Sequence, residues 1–157
     1  AQLDRFMFKT IVPYPALETE LGVLTNYNEG FNAMRLEEAG LQPVLDTDTL
    51  VSLRKTVTEV VAERPILEYI AKLVRKTREN PNLVLGASPR ASIYLLLGSK
   101  AAAALSGRNF VIPDDVKRLA APVLRHRLIL RPESEIEGVT CDRVIESTLA
   151  ELEVPRE

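Results

Sequence analysis

An arginine at the start of a helix is the residue of this chain whose type and position best suit the binding of an anion. In the segment Gly86-Ala87-Ser88-Pro89-Arg90, Ser88 is a favoured N-cap residue and Pro89 suits the first helical position, so Arg90 falls in the first turn. The unpaired N–H groups there make the helix end positive, which disfavours a cation by about 0.3–1 kcal/mol. A phosphate shared by the helix end and the guanidinium would remove this conflict. The alternative is that Arg90 turns into water or pairs with a carboxylate.

Two further side chains could do chemistry, and both favour a structural interpretation. His126 is the only histidine of the chain, so no His-based triad or metal site can be assembled around it. It is predicted to lie near a helix C-terminus, where a partly charged imidazole is favourable. Cys141 is the only cysteine and begins a helix, a position that could lower the pKa of its thiol. No metal site is predicted in this chain.

Helical patterns occupy most of the sequence that must position these residues. Apolar residues recur at helical spacing in six segments, which begin near residues 17, 46, 65, 89, 113 and 140. Each of the six segments has one face that is predicted to point into the core. In chain order, these faces are Leu17, Leu21 and Leu24; Leu50, Leu53, Val57, Val60 and Val61; Ile66, Ile70, Leu73, Val74 and Thr77; Ile93, Leu96, Leu97, Ala101, Ala104 and Leu105; Val116, Leu119, Ala120, Val123 and Leu124; and Val144, Ile145, Leu149 and Leu152. Gly107 is expected at the end of the helix that contains Arg90.

The fold class predicted from these patterns is all-α, a helical bundle preceded by one short strand. The strand is predicted over Phe6–Val12, which is rich in aromatic and β-branched residues and is followed by Pro13. No partner strand is predicted for it, which suggests a missing sheet. Together with the first residue, which is not Met, this leads us to expect that the sequence was cut from a longer protein.

Composition excludes several classes of function. The chain has 157 residues, 46% of them apolar, and a net charge of −2, so no general attraction to nucleic acid or membrane is expected. No run reaches the roughly 18 apolar residues of a membrane span. A single cysteine rules out an internal disulfide and suits a reducing compartment, which predicts a cytoplasmic protein. A basic cluster near one helix end comprises Lys117, Arg118, Arg125, His126, Arg127 and Arg131. It is the best candidate contact for a nucleic-acid backbone. Acidic residues follow it directly, so a solvated helix end or a subunit contact is the favoured interpretation.

Three ordered blocks of sequence carry a family resemblance. They are Gly86-Ala87-Ser88-Pro89-Arg90-Ala91, the segment 107–116 with the sequence GRNFVIPDDV, and the segment 121–128 with the sequence APVLRHRL. Together they resemble the C-terminal lid of MoxR-family AAA+ ATPases. The opening residues 1–6, AQLDRF, resemble the end of that family's ATPase core. The resemblance implies a core remnant at 1–15 and a helical lid domain at 16–157.

The resemblance implies roles for two arginines. Arg90 matches the sensor 2 residue, which touches the phosphates of a nucleotide bound in its own subunit, with Ser88 and Pro89 in the same binding segment. Arg5 matches the arginine finger, a catalytic residue that reaches the site of a neighbouring subunit. The cofactors implied for a full-length protein are ATP and Mg²⁺. The partners implied are other copies in a ring, expected to be a hexamer, with a von Willebrand factor A-type protein and a client complex in a chaperone-like remodelling or maturation role.

The sequence departs from a complete ATPase in one respect. It contains no Gly-x-x-x-x-Gly-Lys-Ser/Thr loop to hold the β- and γ-phosphates. We therefore expect this chain to bind no nucleotide and to hydrolyse no ATP by itself. The alternative interpretation is a non-enzymatic helical adaptor, or a DNA-binding module that uses the basic helix end.

Overall fold

Helices account for most of the regular structure of this protein. The computed structural model describes residues 2–155. Their α-helices are α1 (Leu17–Asn28), α2 (Thr47–Glu59), α3 (Arg64–Arg78), α4 (Pro89–Leu105), α5 (Pro113–Leu124), α6 (Pro132–Ile136) and α7 (Cys141–Ala150); the strands are β1 (Leu83–Leu85) and β2 (Ile129–Leu130); and 3-10 helices form at Leu3–Arg5 and Leu36–Ala39. The predicted all-α bundle is confirmed.

The chain divides into two compact units. The larger unit joins residues 2–10 to the chain from residue 53 onward, and the smaller unit spans Ile11–Ser52. In the smaller unit, α1 exposes its apolar side chains, and the Asp46 carboxylate caps the start of α2 by accepting from the Thr49 N–H at 2.7 Å. The division between a core remnant at 1–15 and a lid at 16–157 stays a prediction, because compactness does not identify the origin of a segment.

The core of the larger unit lies between α3, α4, α5 and α7. The predicted inward faces of α3 and α5 are confirmed, since nearly every residue on them is buried. Val144 and Ile145 of α7 are buried as well, and Leu149 and Leu152 pack against the same core. These helices are amphipathic, so their periodicity identifies the buried side.

The predicted faces of α4 and α2 are confirmed only in part. Leu96 and Ala104 of α4 pack against the core, but most of the larger predicted residues are exposed. On α4, Ile93, Leu97 and Leu105 are exposed, and the buried residues are Ala91, Leu95, Gly98, Ser99, Ala102 and Ala103. This helix is apolar on most sides, so the larger side chains did not mark the packed side, where small residues allow α5 to approach closely. On α2, the predicted face is largely exposed, and only its end at Val60 joins the core.

The strand predicted over 6–12 is not formed. These residues are extended and have no strand partner among the residues described. Side chains take the backbone bonds that a strand would have made, since the carbonyls of Phe6 and Met7 accept from Arg127. The Lys9 N–H donates to the Pro122 carbonyl at 2.8 Å. The sheet that does form was not predicted: β1 and β2 pair antiparallel, with Leu83 opposite Leu130.

The start of α4 is attached to the end of α3 through a close backbone contact. A Cβ atom built on Gly86 would lie 2.6 Å from both the Cα and the N of Arg78, so only glycine fits there. The next residue is held from both of its peptide groups, because the Thr77 hydroxyl accepts from the Ala87 N–H at 3.0 Å and Arg78 donates to the Ala87 carbonyl at 2.8 Å. These bonds fix the position from which Ser88 begins α4.

We predict that Gly86→Ala lowers the free energy of unfolding by about 1–3 kcal/mol, because the added methyl group must push the two backbones apart. Chemical denaturation of the purified chain measures this. Gly22→Ala is the matched control: Gly22 lies within α1 with nothing within 4 Å of the added atom, and helix propensity favours alanine there. Equal stability of the Gly86→Ala protein and the wild type would contradict the close contact.

Candidate functional site

The predicted anion-binding arginine lies in the first turn of α4, as the sequence predicts. Ser88 is the N-cap residue and Pro89 the first helical residue. The Arg90 side chain is 53% exposed, and its Nη1 lies 3.6 Å from Oδ2 of Asp4. The Ser88 hydroxyl donates towards the same carboxylate, at 3.3 and 3.4 Å from its two oxygens, rather than capping α4. In this structure Arg90 therefore has a carboxylate partner, as the alternative interpretation expected, and the partner is Asp4.

Asp4 is held on its other side by a buried arginine. Nε of Arg127 donates to Oδ1 of Asp4 at 3.0 Å, and the Arg127 side chain is 1% exposed. Burial lowers the pKa of Arg127 from its usual range, and Asp4 opposes that shift; a guanidinium remains charged in either case. The basic cluster near the end of α5 was predicted to be a solvated helix end or a subunit contact, and for Arg127 this is wrong.

The second predicted site residue, Arg5, lies beside Asp4 at the end of the first 3-10 helix. Its side chain is exposed, and the guanidinium carbon lies 5.2 Å from the centre of the Phe6 ring. Its carbonyl accepts from the Tyr94 hydroxyl of α4 at 3.1 Å. Arg5 is therefore part of the same short segment that Arg90 contacts through the Asp4 carboxylate.

An open groove of about 1230 Å³ runs past the start of α4. Ser88 and Pro89 line it, with Asp4 and residues of both strands. Four cationic side chains also line the groove, and they are Lys9, Arg78, Arg125 and Arg127. An excess of positive charge beside a helix N-terminus suits an anion such as a phosphate.

His126 lines the same groove, where its surroundings favour the neutral form of the imidazole. Its Nε2 is 2.9 Å from the Phe6 carbonyl oxygen and 2.8 Å from Nη1 of Arg127. Burial lowers the pKa of His126, Arg127 and Lys9 lower it further, and the Phe6 carbonyl and Asp4 oppose them. The expectation of a partly charged imidazole at a helix end is therefore wrong, because burial and the adjacent guanidinium favour the neutral ring.

Cys141 also differs from the expectation that its helix start lowers its pKa. Burial is the largest influence and raises the pKa of the thiol, which points to the Leu128 carbonyl at 3.8 Å. The remaining basic residues near α5 have partners within the chain: Arg125 pairs with Asp142 at 3.0 Å, and Arg131 donates to the Pro81 carbonyl at 2.8 Å. No group of three His, Cys, Asp or Glu side chains within residues 2–155 is placed to hold a metal ion.

Comparison with known proteins identifies the family of this domain. Residues 75–148 match the family model of the AAA lid domain. The chain carries an AAA lid domain. It is 39% identical to the protein named "Uncharacterized protein YeaC" of Bacillus subtilis, over 99% of this chain and 47% of that protein. It is 30% identical to "Chaperone MoxR1" of Mycobacterium tuberculosis, over 99% of this chain and 42% of the relative.

A solved structure supports the same assignment of the lid domain. A "putative ATPase" from Cytophaga hutchinsonii superposes with a TM-score of 0.86 at 32% identity, over 99% of this chain and 48% of the solved one. The resemblance to the lid portion of the MoxR family is therefore confirmed. This chain spans less than half the length of these relatives. None of the helices formed by residues 2–155 has the length and apolar character that a membrane crossing requires.

The second sequence block of the lid domain, 107–116, has a structural role. Gly107 ends α4 with φ +73°, a conformation that favours glycine. Arg108 then forms two hydrogen bonds with the buried Asp115, at 2.7 and 2.9 Å. Burial alone would raise the pKa of Asp115, but Arg108 and the Ile112 N–H hold it below its usual value. The block thus fixes the turn between α4 and α5 and contributes no side chain to the groove.

The two residues that hold the site together, Asp4 and Arg127, were not predicted. They lie 123 positions apart, so no local pattern connects them. The available signal was that each belongs to a different one of the sequence segments that resemble the family.

We predict that the lid domain loses stability as the pH falls below the usual histidine pKa of 6.5. The pKa of His126 is lower in the folded than in the unfolded protein, so the unfolded state takes up the proton first. Denaturation at pH 7.5 and 5.5 is expected to show a smaller decline for His126→Gln than for the wild type. The carboxylates titrate in both proteins, so their effect on stability cancels when the two declines are compared. Equal declines would contradict a depressed pKa.

Proposed function

We propose that this chain is the nucleotide-sensing lid of a MoxR-like AAA+ ATPase, and that Arg90 is its sensor 2 residue. The observation that carries the proposal is the state of Arg90 at the start of α4. It is half-exposed, and its ion pair with Asp4 is long, at 3.6 Å. Such a pair contributes about 0–1 kcal/mol, whereas a guanidinium binds a phosphate through stronger, charge-assisted hydrogen bonds. Arg90 can therefore exchange one anion for another.

Asp4 lowers the free-energy cost of this exchange. When Arg90 leaves, the Asp4 carboxylate keeps the 3.0 Å bond from the buried Arg127, so no charge is left unpaired. Ser88, which also donates towards Asp4, lies at the N-cap of the same helix. An anion bound at this place would meet the helix start, the Ser88 hydroxyl and the Arg90 guanidinium together. Pro89 contributes no N–H and fixes the backbone of the first turn.

The parts that hold and cleave the nucleotide belong elsewhere in this proposal. The sequence has no phosphate-binding loop, and the chain corresponds to less than half of its relatives. ATP and Mg²⁺ would be bound by a core in the rest of the parent protein, and the lid would add Arg90 to the phosphates. Movement of the lid with the nucleotide state would then pass to a client through a ring of subunits, expected to be a hexamer with a von Willebrand factor A-type partner.

Arg5 has the second role in the proposal, as an arginine finger towards the neighbouring subunit. Its side chain is exposed and its backbone is fixed by Tyr94. A guanidinium supplied across a subunit boundary stabilises the charge that develops on a transferred phosphoryl group. Arg5 and Arg90 would then serve two different nucleotide sites.

We predict that the 157-residue chain alone shows no ATP turnover, because it lacks the loop that holds the β- and γ-phosphates. The measurement is phosphate release by the purified chain with ATP and Mg²⁺. The Arg90→Ala chain serves as the control for contaminating ATPases, since a contaminant is unaffected by the substitution. Turnover that Arg90→Ala abolishes would contradict the prediction.

We predict that substitutions of the two arginines in the parent protein affect different kinetic parameters. Arg90→Ala is expected to weaken nucleotide binding by about 10- to 100-fold, through loss of a charge-assisted hydrogen bond. Arg5→Ala is expected to lower kcat by about 10³-fold or more while leaving nucleotide affinity unchanged. Arg64→Ala is the control, since Arg64 is an exposed arginine at the start of α3 that pairs with Glu68 of the same helix.

Mixing the two variants tests which subunit each arginine serves. A site on an Arg5→Ala subunit keeps its own Arg90 and receives Arg5 from an Arg90→Ala neighbour. Random mixing in a head-to-tail ring therefore restores about a quarter of the sites. If no ATPase activity returns on mixing, Arg5 and Arg90 do not act on different sites, and the proposed roles are wrong.

A further inference from the structure

Arg127, the buried arginine of the site, donates most of its hydrogen bonds to one short segment. Besides the Asp4 carboxylate, Arg127 donates to the carbonyl of Asp4 at 2.9 Å and to that of Phe6 at 2.5 Å. It also donates to the Met7 carbonyl at 3.3 Å. Its remaining backbone partner is the Val123 carbonyl of its own helix end. Four of these five acceptors belong to residues 4–7, on both sides of Arg5.

The carbonyl that Arg127 does not reach is taken by its neighbour in space. The Tyr94 hydroxyl donates to the Arg5 carbonyl at 3.1 Å, and the Tyr94 ring lies against the Arg127 guanidinium, 4.9 Å from ring centre to guanidinium carbon. The two side chains therefore bind each carbonyl from residue 4 to residue 7. We call this set of contacts the 4–7 clamp.

The clamp fixes the backbone and leaves one side chain free. Arg5 is exposed, although its own carbonyl and those on either side of it are bound. Burying a guanidinium costs several kcal/mol unless its donors are satisfied. A planar fork with five donors can satisfy that many acceptors along a segment, whereas a lysine ammonium offers three donors from one point. The geometry thus requires arginine at position 127.

We propose that Arg127 is a positioning residue for Arg5: it fixes the backbone of residues 4–7 so that Arg5 reaches a phosphate bound by the neighbouring subunit. This inference rests on the proposed function, in which Arg5 acts across the subunit boundary. Preorganisation of a charged group lowers the cost of aligning it during the reaction. Arg127 touches no nucleotide in this proposal and acts only through Arg5.

The test uses the parent protein with Arg127→Lys and Tyr94→Phe. Arg127→Lys keeps the charge and removes the fork, and it is expected to lower kcat about tenfold or more with nucleotide affinity unchanged. Tyr94→Phe removes only the hydroxyl that binds Arg5, and a smaller loss of kcat is expected. Arg131→Lys is the matched control, since Arg131 donates to the Pro81 carbonyl, outside the clamp, and its kcat is expected to stay at the wild-type value.

Two readouts separate positioning from a loss of folding. Arg127→Lys subunits mixed with Arg90→Ala subunits are expected to recover activity as Arg5→Ala subunits do, because their own nucleotide sites are intact. The double variant Arg5→Ala with Arg127→Lys is expected to be no slower than Arg5→Ala alone. If Arg127→Lys does not fold, Tyr94→Phe supplies both readouts.

The outcomes distinguish this inference from the proposed function. Wild-type kcat in both Arg127→Lys and Tyr94→Phe, beside a slow Arg5→Ala, overturns the inference alone. Failure of Arg127→Lys to be complemented by Arg90→Ala, or a double variant much slower than Arg5→Ala, also overturns it, because Arg127 would then act on more than Arg5. Wild-type kcat in Arg5→Ala overturns the trans role of Arg5 and this inference with it, and leaves the proposed role of Arg90 unchanged.

Discussion

The ion pair between Arg127 and Asp4 is the interaction on which the candidate site depends. A guanidinium that is 1% exposed is unfavourable unless its charge and donors are satisfied, and here the N-terminal segment satisfies them. The segment is thereby attached to the helical unit without forming a strand. Removing Asp4 would leave the buried charge of Arg127 without its counter-ion, so the attachment of this segment and the fold of this end depend on each other.

The start of α4 depends on a second set of contacts, which is independent of the first. Thr77 and Arg78 bind the peptide groups of Ala87, and Gly86 lies against the α3 backbone. The position of Ser88 and Arg90 is therefore set by the α3 end, whereas the position of Arg5 is set by Arg127 and Tyr94. Asp4 connects the start of α4 to Arg127, because Arg90, Ser88 and Arg127 all reach its carboxylate.

Sequence reasoning succeeded where the determining interactions are local. The N-cap position of Ser88 and the buried faces of α3, α5 and α7 follow from residue types within one or two turns. It failed for the buried side of α4, which is apolar nearly all round, so that packing rather than periodicity decides what is buried. It also failed for residues 6–12, whose strand-like composition does not reveal that side chains rather than a strand bind their carbonyls.

The pair of Asp4 and Arg127 could not be found from the sequence, since a contact across 123 positions leaves no trace in local periodicity. An arginine in a basic run is ordinarily solvated, and its neighbours Arg125 and Arg131 are less buried than Arg127. Only the packing of the N-terminal segment over the end of α5 separates Arg127 from them. The place of Ser88, Pro89 and Arg90 at the start of α4 was thus predicted, and the residues that hold Asp4 and the N-terminal segment were not.

Because Gly86 has no side chain, the residue type at this position in relatives indicates how closely two backbones approach each other. Two backbones meet there at a separation that leaves no room for a methyl group. A relative with any larger amino acid at the equivalent place must hold its third helix farther from the loop that precedes α4. The distance between these two elements in a protein of unknown structure can therefore be judged from a single letter of its sequence.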